Sequence, residues 1–398
     1  MIEKITRIST EDPIKYVWKT LRYFIDINFS IEQIKKIHNI EKKSEDNNIK
    51  KQAKQLGYCI RQAEEYFRAS SCVNLPTRPL LLYYGIVNLS QALVLLRQNG
   101  DYSLDALRKK DTHKHHGLEI LGDFKSSTYS KNDLKPFLNS IQCRCYFKND
   151  IPWGQFPNFY KSIEPCVSTI NTKYYNNNVE YQMVLNPVVT SDKIEIEKFN
   201  KKVFNVFNII KTLPDLYNLL YNNSIIPDLC RGQANANHKK QYIKDANGQD
   251  VIKILLEFYY SIDFATPEQK SLLISYYKEY VKNIDITGEY ENSFTFKQLL
   301  ENPEIDTTFY TPDITENIFG DLYYIVYPNE YLPEPAAHFV ILYCLGMISR
   351  YYPDIWLKTI DENVILAEVI DNLLDIVYRK FPYLILDQMT GIHHYCQH

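Results

Sequence analysis

The chain has 398 residues, 45% of them hydrophobic and 23% charged, with a formal net charge of −3. That mix excludes a disordered chain, and the near-neutral balance excludes the global basic field that announces nucleic-acid binding. The length exceeds what one ordinary core holds, so two domains, or one bundle with a large insertion, are expected.

The N-terminus, MIEKITRISTEDP, lacks the apolar run of a signal peptide, and the longest apolar stretch reads as too short and too punctuated for a bilayer span. A cytoplasmic protein with no membrane partner is therefore expected. Eight cysteines are scattered without a CxxC, and Cys143 and Cys145 stand too close for zinc-knuckle spacing, so all read as reduced packing residues.

Residues 13 to 27 have helical spacing, with Val17, Leu21 and Phe24 on one face and Trp18 beside it. Ser30 and Gln33 have the spacing of a capping box and announce a second helix. A polar stretch over 41 to 55 reads as a surface turn. It leads into a helix over 50 to 70 with Leu56, Ile60, Ala63 and Phe67 on one stripe.

Residues 75 to 97, LPTRPLLLYYGIVNLSQALVLLR, are apolar nearly all round. Leu82, Ile86, Leu89, Leu93 and Leu96 step by a 3.6-residue period, and such a helix belongs at the centre of a bundle. Thr77 is placed to cap it and Pro79 falls in its first turn. A turn-rich connection, DYSLDALRKKDTHKHHGLEIL, follows.

From 123 to 200 short β-branched runs such as CRCYF, VEYQMVL and KIEIEKF suggest a β or irregular insertion. Residues 199 to 221 return to helical spacing, with Val203, Phe207 and Ile210 on one face, until Pro214 breaks it. The polar stretch 222 to 250 reads as a loop or hairpin. Helices are expected over 251 to 260 and 267 to 283, the second opened by Thr266 and Pro267. LYYIVY reads as a strand. PEPAAHFVILYCLGMISRYYPDIW is a second strongly apolar helix, and 361 to 381 an amphipathic one with Ile365, Val369, Leu373, Ile376 and Val377 inward. The tail GIHHYCQH reads as frayed.

These elements predict a mainly α protein in three regions: N-terminal helices over 1–122, a mixed α/β insertion over 123–332, and C-terminal helices over 333–398 that pack back on the first region. Glycine-rich phosphate loops, G-x-S-x-G and H-E-x-x-H are all absent from the sequence, which argues against P-loop, serine-hydrolase and zincin chemistry. No metal site or cofactor is expected. Lys109, Lys110, His113, Lys114, His115 and His116, with Arg108, form the most basic short stretch; it can contact phosphate, and a solvated surface turn is the plainer alternative. His393, His394 and His398 near Cys396 have the composition of a metal tract, and a mobile tail explains them as well. His338 reads as a satisfied core histidine. Arg350 and Asp354 in SRYYPDIW could bind an anionic ligand, and because they flank a proline turn at a helix end a cap and staple is the plainer explanation.

QAEEYFRAS, RPLLLYYGIVNLSQAL, the histidine and glycine of THKHHGL, TLPDLYNLLY, LYCLGMISRYYPDIW and RKFPYLIL together resemble the bacterial YaaC-like family, in pieces from about residue 50 to 390. That family implies helical terminal regions and no particular reaction. The order EEYFRAS, RPLLLYYG and then Thr-His-x-x-x-Gly is also similar, more weakly, to the HEPN superfamily. This second resemblance implies a helical bundle formed by the N- and C-terminal helices. Its members include metal-independent endoribonucleases or toxins of antiviral host-defence modules, and non-catalytic nucleotide-binding partners; they usually pair, so a homodimer is implied too.

Active members place a histidine a few residues after an arginine. Arg108 with His113, and secondarily Arg231 with His238, satisfy that order here. Such a pair suits RNA transesterification: histidine moves the 2′-hydroxyl proton and arginine stabilises the phosphorane charge, with no metal. Two functional expectations stand side by side. One is an RNA- or nucleotide-engaging protein with Arg108 and His113 catalytic and Lys109, Lys110, Lys114, His115 and His116 on phosphate. The other is a non-catalytic module that binds a protein partner or its own copy.

Overall fold

The computed structural model describes residues 4–41, 46–122, 124, 133–165, 167–176, 179–189, 195–244, 248–263, 266–280, 284–301, 314–327 and 330–396. The protein is mainly helical, with strands gathered largely into one eight-stranded sheet. In chain order, strand β1 (Lys4–Ile8) leads to α1 (Pro13–Leu21), α2 (Ile27–His38), α3 (Asp46–Ser70), α4 (Arg78–Arg97) and α5 (Leu104–Lys109). Then come β2 (Leu118–Leu121), α6 (Lys135–Ser140), β3 (Gln142–Cys145), the small strands β4 (Phe147–Lys148) and β5 (Ile151–Pro152), and α7 (Gln155–Ser162). The middle continues with β6 (Val167–Asn176), β7 (Val179–Val189), β8 (Val203–Asn205), α8 (Val206–Ile210), α9 (Tyr217–Asn222), β9 (Leu229–Lys244) and β10 (Asp250–Asp263). It closes with α10 (Pro267–Tyr280), β11 (Ile284–Glu289), β12 (Ser293–Glu301), β13 (Ile314–Glu316) and β14 (Leu322–Ile325), before α11 (Glu334–Tyr351), α12 (Pro353–Glu362), α13 (Val364–Thr390) and β15 (Ile392–Cys396).

The apolar α4 is the axis of the main core. Its buried residues include Leu82, Ile86, Leu89, Leu93 and Leu96 together with Tyr83, Ala92 and Leu95, so it is covered on more than one face. The stripe of α3, Leu56, Ile60, Ala63 and Phe67, is buried against it, and α7, α11 and α13 pack around the remainder. Arg97 ties its C-terminal end to α13, donating from Nε and Nη2 to Gln388 O at 2.9 and 2.6 Å. By length and mean hydropathy this helix is able to cross a membrane, contrary to the expectation from sequence; 72% of its apolar window is buried inside the protein, as in a core helix. Phe137, Phe159, Phe199, Phe204 and Ile210 join this core, whereas Tyr260, Tyr277, Phe294, Phe296 and Tyr324 form a second one between α10 and the sheet.

The sheet runs β11-β12-β10-β9-β14-β13, and β6 adds in parallel to β9 while pairing with β7. Residues 251 to 260, expected to be helical, are the inside of strand β10, paired on both sides by β9 and β12. VIKILLEFYY is rich in β-branched and aromatic residues; β9 pairs along all of it and β12 pairs from Leu255 onward, so the ladders take up its backbone groups. Of KIEIEKF, expected as a strand, residues 193 and 194 lie outside the described residues and Ile196–Phe199 form a 3-10 turn. Val203 is 47% exposed in β8 and does not share a face with Phe207 and Ile210, because α8 begins only after Asn205, whose side chain caps it.

The second helix starts earlier than the Ser30 signal. Asp26 Oδ1 accepts from Phe29 N at 2.8 Å and caps it, leaving the Ser30 hydroxyl inside, donating to Phe24 O at 2.7 Å. Thr77 holds the N-cap position of α4 without a side-chain capping bond. At α10 the reading holds: Thr266 Oγ1 accepts from Gln269 N and Gln269 Oε1 accepts from Thr266 N, a reciprocal box. Helix α13 passes through Pro382 and ends at Thr390, beyond the expected stop at residue 381. The tail is not frayed over 392–396, where β15 pairs in parallel with β1 and joins the two ends of the chain. His398 and Cys166 lie outside the described residues; Cys59, Cys143, Cys145, Cys230 and Cys344 are buried free thiols and Cys72 is exposed.

Candidate functional site

The segment after α4 folds into α5, capped by Ser103, then a 3-10 turn over Thr112–Lys114 and an extended stretch through the paired histidines. Asp111 turns the chain with φ 62°, and Gly117 turns it again with φ +82°. The turn is fastened to the following segment on both sides. Tyr146 N donates to Gly117 O at 3.0 Å, Gln155 N to His115 O at 2.9 Å and Phe156 N to His116 O at 2.9 Å. These bonds hold the histidines beside α4 and the N-terminus of α7, where no local pattern would have put them.

His116 Nδ1 lies 2.8 Å from Tyr83 Oη, and its ring makes an edge contact with Tyr83 and a tilted one with Tyr343. The ring of His115 stacks on Tyr146, centroids 4.1 Å apart, while its Nδ1 accepts from Gly117 N at 3.1 Å. That bond leaves the neutral ring's proton on Nε2. Gln155 bridges the turn: Nε2 donates to His113 O at 2.8 Å, and its side-chain oxygen faces His116. Gln155 Oε1 and His113 Nδ1 are buried atoms that complete no hydrogen bond. Arg350, at the end of α11, donates to Tyr84 Oη at 3.1 Å and adds a cation from a segment more than 200 residues away in sequence.

Two of the turn's histidines are held below their ordinary range. Burial, then Arg108, holds His113 below the ordinary histidine range. Burial, then His115 and also Arg350, holds His116 below it, with Gln155 opposing. No carboxylate is among the groups that shift either imidazole, so an anion arriving here relieves repulsion. Tyr83 is pushed well above the usual tyrosine range by burial, so it stays a neutral hydroxyl.

The expected site residues are placed unequally. Arg108 lies on the exposed end of α5, paired with Asp105 at 3.1 Å, yet close enough to His113 to influence its charge. Lys114 pairs with Asp111 at 3.2 Å, Lys110 lies 5.3 Å above the Tyr102 ring, and Lys109 is exposed. Such exposed pairs contribute little and yield readily to a ligand. The structure does not bring Arg231 and His238 together: both are in β9, separated by about 23 Å of extended strand. Arg231 is 3.8 Å from Asp321 instead. Tyr83, Tyr343, Tyr146 and Gln155 were not singled out from sequence; the YY of RPLLLYYG was the only available signal, and Gln155 had none.

A family model described as YaaC-like Protein matches residues 26–389. The chain belongs to the YaaC-like family. No curated protein and no solved structure matches it.

Elsewhere this YaaC-like protein buries a chain of charged groups. Lys380 Nζ is 2.6 Å from Asp215 Oδ2, 2.9 Å from Glu334 Oε1 and 2.9 Å from Glu316 O. The Glu334 contact is an ion pair rather than a well-formed hydrogen bond, since its Oε1 completes none. His338 is buried as expected but is not satisfied: neither ring nitrogen makes a hydrogen bond, and Nε2 stays 3.5 Å from Glu334 Oε1. Burial, then Lys380, lowers His338 to about 3, so it is neutral at physiological pH. His393 and His394, expected in a loose tail, bind the two oxygens of Asp387 at 2.9 and 2.7 Å, and His393 Nε2 reaches Glu316 at 2.8 Å. Among the described residues no three or more His, Cys, Asp or Glu side chains are arranged so that they could hold a metal ion. The network is closed to solvent and pins α13 to β13 and β15.

Proposed function

We propose that this YaaC-like protein engages the phosphate of RNA or a nucleotide at the histidine turn, as a cytoplasmic protein with a HEPN-like helical core. The observation that carries the reading is that backbone bonds to Gln155 and Phe156 hold His115 and His116 beside His113 in one basic turn, where burial first, then Arg108 for His113 and His115 with Arg350 for His116, keeps the imidazoles below the ordinary histidine range. Among them His113 Nδ1 is a buried ring nitrogen with no hydrogen-bond partner. In the cleaving form of the proposal, His113 takes the 2′-hydroxyl proton and the 2′-oxygen attacks phosphorus. The P–O5′ bond then breaks to leave a 2′,3′-cyclic phosphate, the 5′-oxygen takes the proton that His113 had accepted, and Arg108, released from Asp105, stabilises the phosphorane without a metal.

The test is a mixed RNA pool incubated in EDTA with wild type, His113→Ala and Arg350→Ala, read by gel shift and by fragment length. A shift in wild type that weakens in both variants is the expected result; fragments lost in His113→Ala identify the ribonuclease form. The affinity also has a pH sign. Imidazoles held below the ordinary histidine range in the free protein gain a proton as an anion binds, so binding tightens as pH falls toward that depressed range and levels off beneath it. Intact, unshifted RNA with wild type at pH 6 removes the proposal and leaves the non-catalytic interaction module or homodimer. That second reading draws on exposed apolar side chains such as Val364 (77%) and Phe319 (61%), though scattered apolar exposure is ordinary on soluble proteins.

A further inference from the structure

Between the two strands of backbone bonds that clamp the histidine turn lies a small hairpin with its own chemistry. Strands β4 and β5 pair Phe147 with Pro152 and Lys148 with Ile151. The tip residues Asn149 and Asp150 have φ of 52° and 60°, the left-handed pair of a tight type I′ connection. Trp153 N donates to Tyr146 O at 3.0 Å, closing the base of the hairpin. Two half-buried aromatic residues are therefore joined by a backbone bond at that base, Tyr146 stacked by His115 and Trp153 with Lys148 Nζ 4.8 Å from its ring centroid.

We infer that the hairpin base is a stacking platform for unpaired bases, so that the ligand of the histidine turn is single-stranded RNA rather than a duplex. The inference rests on the phosphate reading above and narrows it to a substrate class. Rings interleaved with cations suit a single strand, because a base can leave its neighbours to lie on an aromatic face while the backbone follows the lysines. A duplex keeps its bases inside the helix and offers such a platform nothing to stack. The hairpin is short, its turn is of a tight kind and its base is bonded to the histidine turn, so the backbone carrying the two aromatic residues is preorganised.

Tryptophan fluorescence reads this site directly. Of the three tryptophans, Trp18 and Trp356 are 7% and 1% exposed, which leaves Trp153 as the ring a base can reach. The experiment titrates wild type, Trp153→Ala and Trp153→Phe with a short single-stranded RNA and with a blunt duplex of the same sequence, following both quenching and gel shift. The expected result is quenching of wild type by the single strand, binding about tenfold weaker in Trp153→Ala, and near-wild-type binding without quenching in Trp153→Phe. Equal binding of duplex and single strand without quenching overturns the stacking platform and leaves the phosphate reading standing. Absence of binding to both RNAs overturns the two together. Because Trp153→Phe keeps an aromatic ring in place, a folding defect in Trp153→Ala does not blunt the test.

Discussion

Lys380→Met destabilises the protein by about 3–5 kcal/mol, the cost of stranding buried carboxylates without their cation. Asp215, Glu334 and the Glu316 carbonyl converge on one ammonium, and the side chains of Lys380, Asp215 and Glu334 are 5, 6 and 8% exposed. Burial by itself would push the lysine down; Asp215 and Glu334 overcome that and hold it above its ordinary range. Burial raises Glu334 to about 7 even so. The direction the geometry supports is a charged lysine, since three oxygens meet Nζ within 3 Å. Urea denaturation measures the loss. Replacing Asp215 and Glu334 by Leu and Met as well should recover most of it, as apolar packing removes the stranded charges. A single variant that unfolds within about 1 kcal/mol of wild type would show the network to be incidental.

Gly117→Ala has the second largest effect, and it connects stability to the site. Gly117 sits at φ +82°, and a Cβ there would lie 2.4 Å from Pro157 Cδ and 2.9 Å from Phe156 N. Gly154, at φ +117°, crosses so closely that its own Cβ would meet Gly117 Cα at 2.5 Å. Neither a proline ring nor a backbone can retreat as a flexible side chain would. Left-handed strain and the clash together cost about 3 kcal/mol, and the turn must move off α7. The expected outcome is a lower melting temperature together with loss of the His115 O and His116 O hydrogen bonds, read by faster amide exchange at Gln155 and Phe156. Unchanged exchange at those two amides would mean that the glycine crossing is not what holds the turn.

The parts of the fold legible in the sequence are those whose burial follows a local period. The stripe of α3, the all-round apolarity of α4, and the inward faces of α11 and α13 carry their own evidence, since every third or fourth residue reports the side that is covered. The basic turn was visible as composition, and its histidines were visible as titratable groups. What surrounds them was not: Tyr83, Gln155 and Arg350 come from three other segments, and nothing within eight residues of His116 encodes their approach.

Local sequence thus determined the main helices and the presence of a cationic, histidine-rich turn after the central one. Tertiary structure alone decided that residues 251 to 260 extend as an inner strand, because hydrogen bonds from β9 and β12 outweigh a weak helical preference. It likewise decided that the histidine tail is buried on Asp387 and that Lys380 finds Asp215 across 165 residues of chain. Periodicity records which side of an element is covered; it holds no record of which distant charge or strand will cover it.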